Sequence, residues 1–395
     1  MKTLGLSSRA RLLKASPTLS ITAKAKSMKA QGVDVISLAA GEPDFNTPEA
    51  VCQAAIDALH AGKTKYTATS GMPELKEAIA EKLRRENGIA VRPEQVVVSC
   101  GAKQSLYNAV MTLVEPGDEV LLIAPYWMTY AEQIVLAGAS PVVVRALAEN
   151  GFVPLIEDLK AAVTERTRAI IINSPCNPTG AVFPRQTLKD IAMLAMRHGL
   201  WVIADEIYER LVYGQAHQSI ASLGSDIAEQ TVTISGVSKT YAMTGWRIGY
   251  SAAPDELASA FSNLQDQVTS SPTSFAQAGA IQALCLESSE IEKMRTEFQE
   301  RRDLVVGLLR AIPGIEVTKP EGAFYVLPSI NNYLGGRIQT DGELAAYLLE
   351  NAQTAVIPGE VFEAQGHLRI SYAASRDDIR RGIGRIAEAL GKIGI

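Results

Sequence analysis

The chain has 395 residues, which at roughly 150 residues per domain is enough for two or three domains. Hydrophobic residues make up 47% and charged residues 21%, as in folded globular proteins, so a disordered, collagen-like or coiled-coil chain is excluded. The net charge is −5 and no apolar run approaches the ~20 residues of a membrane helix, so we expect neither nucleic acid nor a membrane as a partner.

Cysteine usage and the N-terminal segment bear on the cellular location. The four cysteines lie far apart and form no C-x-x-C pair, so neither a disulfide framework nor a metal centre is expected. Residues 1–33 carry seven basic residues and no acidic one, as a transit peptide would. They run directly into an alternating strand pattern at 33–38, however, so we interpret the segment as structural and expect a cytoplasmic protein.

The middle of the chain alternates short, β-branched apolar runs with longer amphipathic stretches. The predicted strands cover residues 95–99, 119–124, 141–144, 169–173, 200–205 and 231–235, and the predicted helices cover 74–87, 103–113, 185–198 and 254–267. Near-continuous apolar strands are typical of a parallel sheet that helices bury on both faces. The pattern predicts an α/β fold with a mostly parallel sheet flanked by helices.

The C-terminal part of the chain follows a different pattern. Helices are predicted over 288–311, over 342–353 and from 375 onward, with extended segments at 314–317, 322–327 and 368–372. This mixture suits a smaller α+β domain with an antiparallel sheet. We therefore expect three parts: residues 1–45 as an N-terminal segment of the small domain, 46–290 as the large domain, and 291–395 as the small C-terminal domain.

Chemically active side chains follow several of the predicted strands. In an open parallel sheet, ligands bind beyond the carboxyl ends of the strands, so these positions are the first candidates for a site. They are the helix-opening turn of Gly101, Ala102 and Lys103, the turn with Asn177, the pair Asp205 and Tyr208, and the segment with Ser235, Ser238, Lys239 and Arg247. Each alone is explained by a helix cap or a turn, but their convergence on one sheet edge predicts a site.

This set of side chains meets the requirements of an aldehyde cofactor with a pyridine ring and a phosphate. Lys239 offers an amine for a Schiff base, and Asp205 offers a carboxylate that keeps the ring nitrogen protonated. Tyr208 and Asn177 are candidates for hydrogen bonds to the ring oxygen. The predicted phosphate-binding groups are Arg247, Ser235, Ser238 and the turn of Gly101, Ala102 and Lys103.

These motifs closely resemble the class I pyridoxal-phosphate-dependent aminotransferases, which have the type I fold. The resemblance lies in SGVSKTYAMTGWRIGY at 235–250, NPTG at 177–180 and DEIY at 205–208, and it spans the chain from AGEPDF at 40–45 to LRISY at 368–372. Within the family, the sequence is similar to the aspartate aminotransferase subgroup that includes bifunctional aspartate/prephenate enzymes.

The resemblance implies pyridoxal 5′-phosphate as the cofactor and a role for each matching residue. Lys239 would form the Schiff base and then move the proton between the substrate and the cofactor, which makes it a catalytic residue with Asp205 and Tyr208. Trp127 would stack on the ring, and Tyr66 would reach the phosphate of the neighbouring subunit in a homodimer. The implied substrate-binding residues are Arg369 for the α-carboxylate, with Gly41, Trp127 and Asn177 beside it.

The expected reaction is transfer of the amino group of L-aspartate to 2-oxoglutarate by a ping-pong mechanism. In the similar subgroup a lysine at the position of Lys103 binds the distal carboxylate; if Lys103 is instead a solvated helix residue, aromatic or neutral amino acids become the alternative substrates. The stretch with Lys14, Ser16 and Thr18 is similar to the one associated with prephenate transamination. A lyase, racemase or decarboxylase of the same fold is an alternative, because Lys239 and Asp205 serve any carbanion route. A regulatory binding protein built on an aminotransferase-like domain is a further one, but the chain shows neither the extra length nor the basic bias of a DNA-binding extension.

Overall fold

The computed structural model describes residues 5–13 and 17–394. Its helices are α1 Ser8–Leu12, α2 Pro17–Ala30, α3 Glu49–His60, α4 Pro73–Lys82, α5 Ala102–Leu113, α6 Thr129–Leu136, α7 Ile156–Ala162, α8 Arg185–His198, α9 Ser225–Ala228, α10 Asp255–Val268, α11 Ser274–Leu284, α12 Ser288–Arg310, α13 Asp341–Asn351 and α14 Arg376–Ile393. Its strands are β1 Ile36–Ser37, β2 Val96–Ser99, β3 Glu119–Ala124, β4 Ser140–Arg145, β5 Thr167–Asn173, β6 Trp201–Asp205, β7 Thr231–Gly236, β8 Gly249–Ala252, β9 Tyr325–Val326, β10 Thr354–Ala355, β11 Ile357–Pro358 and β12 Leu368–Ser371. Among these described helices, none combines the length and apolar character needed to cross a membrane.

The large sheet has the strand order β2-β8-β7-β6-β5-β3-β4. All neighbouring pairs are parallel except those of β8, which runs antiparallel to both β2 and β7. Strands β3 and β7 are buried along their whole length, as their continuous apolar runs predicted. The α/β fold and the six predicted strands are thus confirmed, whereas β8 was missed because its four residues include a glycine and show no alternation.

The strand register places the candidate site residues at one edge of the sheet. Asn173 at the end of β5 lies opposite Asp205 at the end of β6, and Asp205 lies opposite Ile234 in β7. Three neighbouring parallel strands therefore end together, and the segments that follow them start from the same edge. The Asn177 turn, the Asp205–Tyr208 pair and Lys239 are all carried by those segments.

The second lobe combines both ends of the chain. A three-stranded antiparallel sheet has the order β11-β12-β9, and β1 pairs in parallel with β10 through Ile36 and Thr354. The expected smaller α+β unit built from both chain ends is confirmed. The extended segment at 314–317 is not a strand, and only a single bridge joins Glu316 to Ser329.

The two lobes share a core, so the division at 45/46 and 290/291 stays a prediction. The cluster around Phe298 and Phe324 in the small lobe also contains Tyr208 and Leu211, which follow the large sheet. Phe298 and Phe324 stack with their centroids 5.4 Å apart, and Tyr208 meets Phe324 edge-on at 5.5 Å. Packing of this kind ties the position of Tyr208 to both lobes.

A buried ionic cluster lies behind the strand ends. Lys82 at the end of α4 pairs with Glu209, and both side chains are almost fully buried. Asn87 donates hydrogen bonds to Glu206 and Glu209, while His217 pairs with Glu206 at 3.0 Å. Burial by itself would raise the pKa of Glu209, but the charges of Lys82 and His217 outweigh it and the pKa is lowered. The three potential metal ligands Glu206, Glu209 and His217 converge here, and Lys82 supplies the positive charge among them.

Replacing Lys82 by methionine should destabilise the protein strongly, because Glu209 would remain buried without its cation. Breaking one half of a buried pair costs about 3–5 kcal/mol. The free energy of unfolding from urea titration measures this change. The exposed pair of Lys160 and Glu157 on α7 provides the control, since Lys160→Met should change the stability by no more than about 0.5 kcal/mol. Equal small effects of the two substitutions would contradict the assignment of Lys82.

Candidate active site

A cavity of about 440 Å³ lies at the carboxyl ends of β5, β6 and β7, between the sheet and the small lobe. Most of the residues singled out in the sequence line it: Thr18, Gly41, Ala102, Lys103, Trp127, Asn177, Asp205, Tyr208, Ser238, Lys239, Arg247 and Arg369. Residues from eight separate stretches of the chain, from Thr18 to Arg369, thus meet in one place. A cavity with several convergent polar groups is the expected form of a small-molecule site.

Lys239 presents its amine to the cavity. Its Nζ donates a hydrogen bond of 2.6 Å to the carbonyl oxygen of Gly41 and lies 5.9 Å from the ring centroids of both Tyr208 and Phe324. Burial lowers the pKa of this amine to about 8, with Arg247 and Arg369 acting in the same direction and Glu42 and Asp205 opposing them. The amine is therefore far more available as a nucleophile or base near neutral pH than an ordinary lysine.

Asp205 is the buried carboxylate of the site. Its Oδ2 accepts a hydrogen bond of 2.7 Å from the Tyr130 hydroxyl, and its Oδ1 accepts one of 3.2 Å from the backbone N–H of Ile207. Burial raises the pKa of Asp205 to about 6, while the bonds from Tyr130 and Ile207 and the charge of Lys239 lower it. A carboxylate fixed in this way can share a proton with a basic group placed in the cavity.

The guanidinium of Arg369 is held from several sides. It donates hydrogen bonds to Asn177 Oδ1 at 3.0 Å and to the Ala39 carbonyl at 2.8 Å, and it lies over the rings of Tyr325 at 4.5 Å and Phe362 at 5.0 Å. Its Nε atom is buried and has no hydrogen-bond partner among the described residues. Buried donors in proteins are normally hydrogen-bonded, so the Arg369 Nε–H group is available to a ligand acceptor. A carboxylate fits the planar, forked guanidinium group of arginine.

The start of α5 forms a cradle with Arg247. Gly101 adopts a left-handed φ of +87°, and a Cβ atom at this position would overlap the Arg247 guanidinium. Arg247 donates hydrogen bonds to the carbonyl oxygens of Thr244 at 2.9 Å and Cys100 at 3.4 Å. Gly249 lets β8 approach Ala102, since a Cβ there would overlap the Ala102 backbone nitrogen. Free N–H groups at a helix start beside an arginine suit a phosphate.

Lys103 and the two tyrosines complete the walls. Lys103 Nζ lies 4.7 Å from the Trp127 ring centroid, and burial, followed by the charge of Arg247, lowers its pKa. Lys103 thus lines the cavity from the first turn of α5 while part of its surface remains exposed to solvent. The hydroxyl groups of Tyr208 and Tyr325 lie 3.0 Å apart, and burial raises the pKa of Tyr208 well above its usual value, so Tyr208 remains a neutral donor.

Ser235 is the predicted site residue that the structure places elsewhere. It lies within β7, is fully buried, and donates its hydroxyl to Glu209 at 2.8 Å in the ionic cluster. Successive side chains of a strand point to opposite faces, and Ser235 belongs to the face that meets Glu209. It therefore does not line the cavity, and Ser238 takes the cavity position of this segment.

Other candidates stand outside the cavity or outside the described residues. Tyr66 lies on the surface with 94% of its area exposed, so its predicted contact with a neighbouring subunit stays a prediction. Lys14 and Ser16 fall outside the described residues. The sequence interpretation missed several cavity residues, namely Thr22, Lys26, Glu42, Tyr130, Asn173 and Tyr325. Asn173 ends a predicted strand, so its position at the sheet edge could have been predicted, whereas Tyr130 lies in α6 and no sequence pattern marks it as a site residue.

The fold and cavity together define an α/β enzyme that handles a carboxylate substrate beside a desolvated lysine amine. The chain belongs to the class I and II aminotransferases, because the pattern of that family matches residues 33–386.

Two comparisons with individual proteins agree with the family. The chain is 50% identical to a probable aspartate/prephenate aminotransferase of Aquifex aeolicus, over 98% of this chain and 99% of that protein. Its structure resembles that of an aspartate aminotransferase from Thermus thermophilus solved with maleate, with a TM-score of 0.94, 43% identity, and coverage of 98% of this chain and 100% of the other.

The lowered pKa of Lys239 makes its reactivity testable without any substrate. In cofactor-free protein, the rate at which formaldehyde and cyanoborohydride methylate Lys239 should rise with pH to a midpoint near 8, because only the neutral amine reacts. Peptide mass spectrometry over a series of pH values measures this rate, and exposed lysines in the same digest serve as the internal control. A midpoint near the ordinary value of ~10.4 would contradict the desolvated amine.

Proposed function

We propose that this chain is an aspartate aminotransferase that uses pyridoxal 5′-phosphate and transfers the amino group of L-aspartate to 2-oxoglutarate by a ping-pong route. The observation that carries the proposal is the cavity in which the Lys239 amine, the Asp205 carboxylate and the Arg369 guanidinium meet. The names of the relatives support it, as does the presence of maleate, a dicarboxylate, in the Thermus thermophilus structure.

The residues present fit the proposed cofactor. The α5 cradle with Arg247 and Ser238 would hold a phosphate, Asp205 would pair with a protonated ring nitrogen, and the Trp127 ring forms one wall of the cavity. Tyr208 is a neutral hydroxyl donor and Asn177 an amide, both suited to the ring oxygen. Pyridoxal phosphate, when bound, supplies an aldehyde that takes up the amino group and a ring that accepts an electron pair.

Each residue of the chain then has a defined task. Lys239 would hold the cofactor and supply the amine that moves a proton to and from the substrate Cα, for which its pKa of about 8 is well suited. Asp205, supported by Tyr130, keeps the positive charge on the ring nitrogen. Arg369 binds the substrate α-carboxylate with its unpartnered Nε and so orients the Cα–H bond.

The preference for aspartate is assigned to Lys103. Lys103 lines the same cavity as Arg369, so the cavity offers a second cation to a substrate with two carboxylates. The Lys103 amine lies 4.7 Å from the Trp127 ring centroid, on the wall of this cavity. This placement favours dicarboxylic substrates over aromatic or neutral ones.

Prephenate is a second candidate substrate, which the name of the Aquifex aeolicus relative supports. Thr18 lines the cavity, as expected for a residue that contacts the substrate, whereas Lys14 and Ser16 lie outside the described residues. Assembly as a homodimer, with Tyr66 reaching the partner's phosphate, belongs to the same proposal, and so does a cytoplasmic location.

Replacing Lys239 by alanine should remove the proton-transfer step while Arg247 and Asp205 still hold the cofactor. We expect kcat for aspartate with 2-oxoglutarate to fall by at least ~100-fold, the lower limit for a placed general base. A coupled assay of oxaloacetate formation measures turnover, and absorbance of the dialysed protein measures bound cofactor. Lys293→Ala, at an exposed lysine of α12, is the control that should leave both unchanged.

The consumption of aspartate, followed with and without 2-oxoglutarate, separates transamination from other chemistry. An aminotransferase forms oxaloacetate from aspartate only while a keto acid is present to take the amino group, whereas a lyase or decarboxylase forms product without it. Sustained product formation in the absence of 2-oxoglutarate would overturn the proposed function.

The assignment of Lys103 predicts a selective loss. In Lys103→Met, kcat/KM for aspartate should fall by about 10- to 100-fold, because a hydrogen bond to a charged group contributes about 1.5–3 kcal/mol. The value for phenylalanine should fall much less, since its side chain carries no charge. Steady-state kinetics with both substrates checks the prediction, and an equal loss for both would assign Lys103 a structural role instead.

A further inference from the structure

One face of α2 forms part of the cavity wall. Thr18, Thr22 and Lys26 all line the cavity, and their spacing of four residues places them in one row along the helix. The Thr22 hydroxyl donates to the Thr18 carbonyl at 2.8 Å, so it is engaged within the helix itself. Lys26 is therefore the residue of this row that brings a charge to the cavity.

The neighbours of Lys26 fix the orientation of the helix. Ala25 is 2% exposed and packs in a small cluster with Val35 and Leu349. Lys24 points away from the cavity and pairs with Glu350 of α13 at 2.8 Å. With one side of α2 packed and another held by an ion pair, the row of Thr18, Thr22 and Lys26 is turned toward the cavity.

Lys26 forms no ion pair or hydrogen bond with any other residue that the structure describes, although it stands among charges. The cations of the cavity are Lys26, Lys103, Lys239, Arg247 and Arg369, and its acids are Glu42 and Asp205. Glu42 already accepts a hydrogen bond of 3.0 Å from Thr244. The cavity thus has an excess of positive charge, which favours the binding of anionic ligands.

The proposed ligands account for only part of that excess. A phosphate matches Arg247 at the α5 cradle, and an α-carboxylate matches Arg369. Lys103 on α5 and Lys26 on α2 are then the cations that pair with neither the phosphate nor the α-carboxylate. A second carboxylate on the substrate would supply a negative charge for these two lysines.

We infer that Lys26 is a second specificity-determining cation, which acts with Lys103 to attract the distal carboxylate of dicarboxylic amino acids and keto acids. The inference rests on the proposed function and extends it by assigning a part of the substrate preference to α2. Lys26 is exposed to solvent, so its effect is that of a partly screened charge.

The test compares Lys26→Met with Lys24→Met, a substitution two residues away that removes the same charge from the other side of the helix. The ratio of kcat/KM for aspartate to kcat/KM for phenylalanine should fall about three- to tenfold in Lys26→Met, and Lys26→Arg should restore it. The loss should shrink at 0.5 M salt, because screening weakens an exposed charge pair. Lys24→Met should leave the ratio unchanged.

A binding measurement gives a second readout that does not depend on turnover. Calorimetric titration of the cofactor-loaded protein with succinate, a dicarboxylate without an amino group, should show a three- to tenfold weaker Kd in Lys26→Met, while the Kd for acetate should stay the same. An unchanged ratio and unchanged succinate affinity would overturn the inference, as would equal losses in both lysine variants. If the native protein itself used no dicarboxylate, the proposed function would fail instead, so the two failures are distinguishable.

Discussion

The site depends on burial of a lysine amine and a carboxylate in one cavity, which lowers the pKa of the amine and raises that of the carboxyl group. Lys239 and Asp205 line the same cavity, and the same loss of solvent moves their two pKa values toward neutrality, to about 8 and about 6. An amine with this pKa can attack a carbonyl group and carry a proton near physiological pH. The other residues of the cavity position ligands around this pair.

The fold supplies the burial and the positions together. Parallel strands that end in register bring Asn173 and Asp205 side by side, and glycines at 101 and 249 let α5 and β8 approach closely enough to form the Arg247 cradle. Behind them, the Lys82 and Glu209 pair fixes the segment that carries Tyr208. The small lobe closes the site through Arg369 and Tyr325, so neither lobe forms the cavity alone.

The sequence predicted the large sheet and most of the cavity because both follow from local patterns. Apolar runs marked the buried strands, and the polar residues just beyond them marked the site. Ser235 was misplaced because alternation along β7 turns its hydroxyl toward Glu209, a contact between residues 26 apart in sequence. Tyr130, Tyr325 and Lys26 were missed for the same reason: their place in the cavity is set by how α6, the small lobe and α2 pack against the sheet, which no local pattern reveals.

In the proposed enzyme, the Asp205 carboxylate acts through its negative charge on the ring nitrogen of the cofactor. The most direct measurement is the single-turnover rate with aspartate, followed by absorbance in stopped flow, for Asp205→Asn and Asp205→Glu. Asparagine can keep the hydrogen bond from Tyr130 but not the charge, so we expect the rate of Asp205→Asn to be at least ~100-fold below the native rate. Asp205→Glu keeps the charge and should keep most of the native rate. A native rate in Asp205→Asn would contradict this role of the charge.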